Sequence, residues 1–274
     1  KVDELVGATP VKNYILFASK FLSLLFLCLC VNVVCIITCI VLQEASGYSH
    51  HELSLYFTDL VLLKILSISI LAALGMSIQV FFKNRYFAFF FVAFIVLGLP
   101  LILRALKYTN DLWIFNSSGH QMLYSDMNGH GHTLPNYFIY KGYWLGLVLV
   151  LVTFATAMFQ RGREEGFVAR FRNVLRNFKP AYGISFVIAM FLFLSCGAII
   201  YYNNRILNPY VSPKEEEKKQ ANFEIVYKKY GDELQPRVVE SNVKVDIFPD
   251  RLGCKLQGFY FLKNKHLTAV TKLF

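Results

Sequence analysis

Residues 124–133 read YSDMNGHGHT. Asp126, His130 and His132 carry side chains that a divalent metal takes, a carboxylate and two imidazoles. Gly129 and Gly131 flank His130, however, and glycine at alternate positions is turn chemistry. His-x-His with one nearby carboxylate is a weak metal signature, so a turn is the expected reading. Further upstream, His50 and His51 precede Glu52, but the second histidine of a zincin-type H-E-x-x-H would stand at 55, where the chain has Leu55. That motif occurs nowhere in the chain, and neither does the phosphate loop G-x-x-x-x-G-K-[ST]. Asp59 and Lys64 lie near one end of an apolar run and are expected to snorkel towards water. A proton or ion relay needs several charges at depth, and the apolar runs do not supply them. Cys28, Cys30, Cys35, Cys39, Cys196 and Cys254 show no C-x-x-C spacing and read as small apolar packing residues. No catalytic residue, cofactor or metal is therefore expected within these residues.

The elements carrying these groups follow from the distribution of charge. Of 274 residues, 55% are hydrophobic and 17% charged, against about 25% charged in a soluble domain. The deficit is concentrated in five runs, at about 21–42, 60–82, 86–103, 143–160 and 182–202. Each approaches the roughly 20 apolar residues that a helix needs to cross a bilayer. A cleavable signal peptide does not fit, because the first run is too long and lacks a small-residue cleavage site. The net charge of +10 is explained by basic connections beside anionic lipid. No nucleic-acid module interrupts the runs, so nucleic acid is not an expected partner.

Lys1, Lys12, Lys20, Lys83, Arg85, Arg161, Arg163, Arg170, Arg172, Arg176 and Lys179 fall in connections on one side. The alternate connections hold only Arg104, Lys107 and Lys141. The positive-inside asymmetry places the N-terminus in the cytoplasm and residues 203–274 outside. Within the most basic connection, Phe167, Val168, Phe171, Val174, Leu175 and Phe178 recur at helical spacing, with arginines mostly on the other face. Such a helix either lies in the lipid headgroups or docks a partner such as a nucleotide-driven motor. For docking, the candidate residues are Arg163, Phe167, Arg170, Phe171, Arg172, Val174 and Arg176.

After Tyr202 the composition turns polar. SPKEEEKKQ at 212–220 opens a short helix towards Tyr230, which Pro236 closes off. From Val238 the pattern alternates, with Val243, Val245 and Ile247 opposite Lys244 and Asp246. PDRLG at 249–253 is a turn, and Lys255–Leu262 a second strand. A hairpin alone is marginal in water, so the tail reads as the opening of a larger β-rich domain. Lys1 at the first position and a strand-like run ending at Phe274 read as a fragment. The expected organisation is a transmembrane domain over 1–202, a linker with a short helix over 203–237, and the start of an extracytoplasmic β-rich domain over 238–274.

Three stretches carry a resemblance to a known family. They are YSDMNGHGHTLPNYFIYKGYW in the loop before the fourth run, QRGREEGFVARFRNVLRNFKP before the fifth, and the segment from YYNNRILNPY through NFEIVYKKYGDELQPRVVESNVKVDIFPDRLGCKLQGFYFLKNK. Their order resembles the large bacterial fusions of an ABC transporter permease to an aminopeptidase N-like zinc metallopeptidase, over most of residues 55–274. The resemblance implies an all-α polytopic membrane protein of about five transmembrane helices, followed by part of a β-sandwich. It also implies a bacterial inner-membrane location and a separate ATP-binding cassette subunit as partner, with a homo- or heterodimer compatible. The family's zinc ligands and catalytic glutamate are expected beyond Phe274 and transfer to no residue of this chain. The alternatives are a non-transporting membrane anchor for an extracytoplasmic peptidase and a structural membrane scaffold.

Overall fold

The computed structural model describes residues 11–82, 84–108, 111–119, 122, 124–131, 133–159, 167–176, 180–207, 211, 213–231, 233–248 and 253–270. Five helices are long and apolar enough to cross a membrane: α1 (Asn13–Ala45), α2 (Leu53–Phe81), α3 (Arg85–Ala105), α4 (Thr133–Met158) and α6 (Pro180–Leu207). Between the last two lies a short helix, α5 (Phe167–Arg176). All five long helices begin before the apolar runs that mark them in the sequence, and α1, α3 and α6 also end beyond them. The largest extension is at the start of α4, where the mixed polar and aromatic stretch TLPNYFIYKGYW is already helical. Lys141, expected in a loop, is therefore inside a helix and only 3% exposed.

Helices suit apolar segments of this length, because their backbone groups bond one another along the helix without needing water. Their polar side chains do the same. Ser23 donates to the Ser19 carbonyl, Asn32 to Cys28, Thr38 to Val34, Ser69 to Ile65 and Thr153 to Leu149. Each of these hydroxyls and amides thus turns back onto its own helix. That surface is strongly apolar: Phe26, Val34, Phe89, Phe90, Ile188 and Phe191 are all largely exposed.

The core forms where α2, α3 and α4 meet. Ile70, Ala73, Leu74 and Ile78 of α2 pack with Ala88 of α3, Trp144 and Val148 of α4, and Phe115 from the connecting loop. On its other side α4 packs against α6 through small residues. A Cβ built at Gly146 would lie 2.6 Å from the Phe193 backbone nitrogen, and one at Gly142 would lie 2.9 Å from Cys196 Sγ. Tyr143 stacks on Phe193 with ring centroids 4.7 Å apart. Buried between two partners, α4 has no single apolar stripe. Asn13 donates to the Phe159 carbonyl at 2.7 Å, placing the start of α1 beside the end of α4.

Three stretches widen from α- to π-helical pitch: Phe57–Leu63 in α2, Phe94–Gly98 in α3 and Tyr202–Leu207 at the end of α6. Such widenings re-aim side chains and gather at functional sites. The first of them contains Asp59.

Residues 1–210 form one compact unit and 211–274 another. The second holds α7 (Pro213–Tyr227), a 3₁₀ turn at Lys228–Tyr230, and an antiparallel hairpin of β1 (Arg237–Phe248) with β2 (Gly253–Lys263). Val245 pairs with Leu256 and Val243 with Gly258, and the register slips between Val238 and Glu240. Val243, Val245, Ile247, Leu256, Phe259 and Phe261 are all exposed.

Candidate functional site

The chemistry-bearing side chains gather at the end of the bundle where α1 finishes and α2 and α4 begin. His130, from the loop before α4, meets Asp59 of α2 with Nε2 2.7 Å from Oδ1. Asp59 stays partly exposed at this end, and its carboxylate meets a loop imidazole 71 residues away in the chain. Gly129 and Gly131 take φ values of 56° and 47°, and the Gly129 amide closes the turn on the Ser125 carbonyl. The turn reading holds, and the turn is what carries His130 over α2. His130 Nδ1 is buried without a hydrogen-bond partner among the described residues.

Two further contacts tie the loops to this end. His51 Nε2 lies 2.7 Å from Glu44 Oε1, and its Nδ1 lies 3.2 Å from Gln43 Oε1. Tyr124 directs its hydroxyl to Glu52 Oε2 at 3.4 Å and sets its ring edge-on to His130. The Glu52 carboxylate, then loss of solvent, then Asp126 push the Tyr124 phenol above its ordinary range.

Lys141 projects from α4 and is capped by one residue. Its Nζ donates to the Asn116 carbonyl at 2.6 Å and to Asn116 Oδ1 at 2.9 Å. Asn116 in turn donates from Nδ2 to the Ser67 carbonyl of α2. It holds φ at 58°, a left-handed geometry that asparagine tolerates better than most residues. Three residues on, Gly119 also has positive φ, and a Cβ there would meet the Tyr140 ring at 2.5 Å. Tyr140 receives the Asn204 amide from α6 at 2.9 Å. The loop over 116–119 is therefore fixed to α2 and α4, and Tyr140 beneath it is tied to α6.

That loop walls a cleft of about 450 Å³ lined by Asp59, Lys64, Ser67, Ser117, Ser118 and His130, among others. A second cleft of about 450 Å³ meets it at His130 and runs past His51, Glu52 and Tyr124. Asp59, Lys64, His130 and Lys141 converge on one end, although none of them looks clustered in the sequence. Among the described residues no three metal-ligating side chains come together, and His130 faces Asp59 rather than Asp126. His132 lies outside the described residues.

At the opposite end, α5 packs on the end of α4. Val174 is 7% exposed and so is turned into the chain, whereas Phe171 is 40% and Val168 69% exposed. Of the remaining docking candidates, Arg172 is exposed, the side chains of Phe167, Arg170 and Arg176 lie outside those described, and so does Arg163 altogether. Helical spacing in the sequence marks an apolar face but does not say which part of it the chain covers itself. The seam between α4 and α6 escaped the sequence reading too. Its signal is the spacing of Gly142 and Gly146, one helical turn apart on one face.

No protein-family model, curated protein or solved structure matches the chain.

Proposed function

We propose that the five long helices are the membrane-embedded permease part of an ABC-type transporter in a bacterial inner membrane. It works with a separate ATP-binding cassette subunit, as one half of a homo- or heterodimer. The N-terminus and α5 face the cytoplasm. The clefts at the other end face outward, and residues 211–274 open an extracytoplasmic β-sandwich of the aminopeptidase-like kind.

The observation that supports this most is the seating of α5. It is a basic amphipathic helix between two spans, anchored by Val174 on its own chain, with Val168 and Arg172 exposed. A helix lying passively in headgroups has no need of a protein anchor. A helix that relays a push from a motor to the spans does.

Val174 is covered by the chain itself, so the apolar residue chosen for the docking test is Phe171, 40% exposed. Burying such a side chain contributes about 1.5–3 kcal/mol, and a rim arginine about 1 kcal/mol or less. Phe171→Asp should abolish co-purification of an ATP-binding subunit from membranes while leaving insertion intact. Arg172→Ala should weaken it slightly and in a salt-dependent way. Unchanged recovery with Phe171→Asp would make α5 a lipid-lying turn and favour the reading of a non-transporting membrane anchor.

A further inference from the structure

We infer that the cleft between α2 and the 116–119 loop is a binding site for a small oxyanion, a phosphate or carboxylate group, seated on Lys64. This goes beyond the permease reading and does not depend on it.

Three features of the cleft carry the inference. The first is charge. Lys64 lines the cleft, is exposed, and forms no ion pair with a described residue. Lys141 stands behind the wall, held by the two oxygens of Asn116 and the face of the Tyr137 ring. Neither ammonium has a carboxylate partner among the described residues. The carboxylate lining the cleft is Asp59, and His130 engages it at 2.7 Å. Two uncompensated cations against one engaged carboxylate leave a positive field, which an anion would offset.

The second feature is donors. Tyr137 gives its proton to the Leu63 carbonyl, so the Ser67 hydroxyl must donate to Tyr137 and is spent. Ser117 differs. Its oxygen accepts from the Gly119 amide at 3.1 Å, which leaves its own hydrogen free to donate. With Ser118 beside it, the loop that lines the cleft together with Lys64 offers hydroxyl donors and, among the described residues lining it, no carboxylate of its own, the set that recognises an oxyanion.

The third is rigidity. The wall is set by the Asn116 bonds to Ser67 and Lys141 and by the close seat of Gly119 on Tyr140. Donors held in place before binding lose little freedom on engaging a ligand. The cleft's volume of about 450 Å³ is within the range of small-molecule sites.

An oxyanion at this depth comes either from solution or from the headgroup of an anionic lipid, and one experiment separates the two. The full chain is placed in phosphatidylcholine nanodiscs, and its thermal unfolding is followed as inorganic phosphate is added at constant ionic strength. A parallel set of discs contains phosphatidylglycerol. Saturable stabilisation by phosphate, weakened about ten-fold or more in Lys64→Gln and largely restored in Lys64→Arg, assigns a soluble ligand. Stabilisation by phosphatidylglycerol alone, lost in Lys64→Gln, assigns the lipid headgroup. Ser118→Ala should weaken whichever is seen, and Lys107→Gln, on the loop surface, should not. The inference is overturned if neither anion stabilises the wild-type chain, or if Lys64→Gln and wild type respond alike.

Discussion

Replacing Gly146 with leucine should cost the bundle on the order of 3 kcal/mol, at the upper end of what overpacking usually costs. Even a single added carbon would lie 2.6 Å from the Phe193 nitrogen and 2.8 Å from its Cα. Those are backbone atoms of α6, so no rotamer change relieves the clash and the two helices must separate. Separation also breaks the stacking of Tyr143 on Phe193. Within lipid, helices associate through close van der Waals contact rather than hydrophobic exclusion, so a lost close contact is not made good by burial elsewhere. Gly75 provides the control. A Cβ there meets nothing within 4 Å, so Gly75→Ala should be neutral or slightly stabilising, since alanine favours the helix. Unfolding in a denaturing detergent series measures both. Equal stability of Gly146→Leu and wild type would mean that α4 and α6 are not packed through this seam.

Asn116→Ala should be nearly as damaging, by about 3 kcal/mol. The variant loses the acceptor at 2.9 Å from Lys141 Nζ and the donor to the Ser67 carbonyl. Hydrogen bonds to charged groups are worth about 1.5–3 kcal/mol, and a buried group left unmet costs about as much. Alanine at φ 58° adds backbone strain of about 1 kcal/mol. The buried Lys141 ammonium would keep only the backbone carbonyl. Two companion variants separate these contributions. Asn116→Gly relieves the strain but not the lost bonds, so it should recover about 1 kcal/mol. Asn116→Asp keeps the acceptor and gives Lys141 a carboxylate, so it should fall closest to wild type. Destabilisation of Asn116→Ala by less than about 0.5 kcal/mol, within the ordinary range for surface changes, would contradict the capping role.

What the sequence disclosed and what it withheld divide along physical lines. Apolar runs announce spans because a bilayer demands a nearly unbroken length of hydrocarbon-compatible side chains, and all five runs lie on long helices. The ends of those helices are less legible. Thr133–Tyr143 mixes aromatic and polar residues that a composition window reads as loop, yet Tyr137, Tyr140 and Lys141 are buried by neighbours from α2, α6 and the 111–119 loop. The site suffers from the same blindness. Asp59, His130, Asn116 and Lys141 are brought together by pairings of 71, 49 and 25 residues' separation, and no local spacing encodes them. The glycines around His130 correctly mark a turn. Nothing in YSDMNGHGHT says that the turn delivers its imidazole to α2. In α5 the helical period is plain, but burial of Val174 depends on where α4 ends.

Under the proposed function, α5 faces the cytoplasm, while the loop that carries His130 and α7 face outward. This orientation is tested most directly by alkaline phosphatase fusions, since the enzyme matures only outside the cytoplasm. Insertion sites after Met127, 98% exposed in the loop that carries His130, after Arg172 in α5, and after Lys219 in α7 sample both ends of the bundle and the second unit. High activity after Met127 and Lys219, with none after Arg172, is the expected pattern. Activity after Arg172 with silence at the other two would reverse the orientation and place the cleft in the cytoplasm.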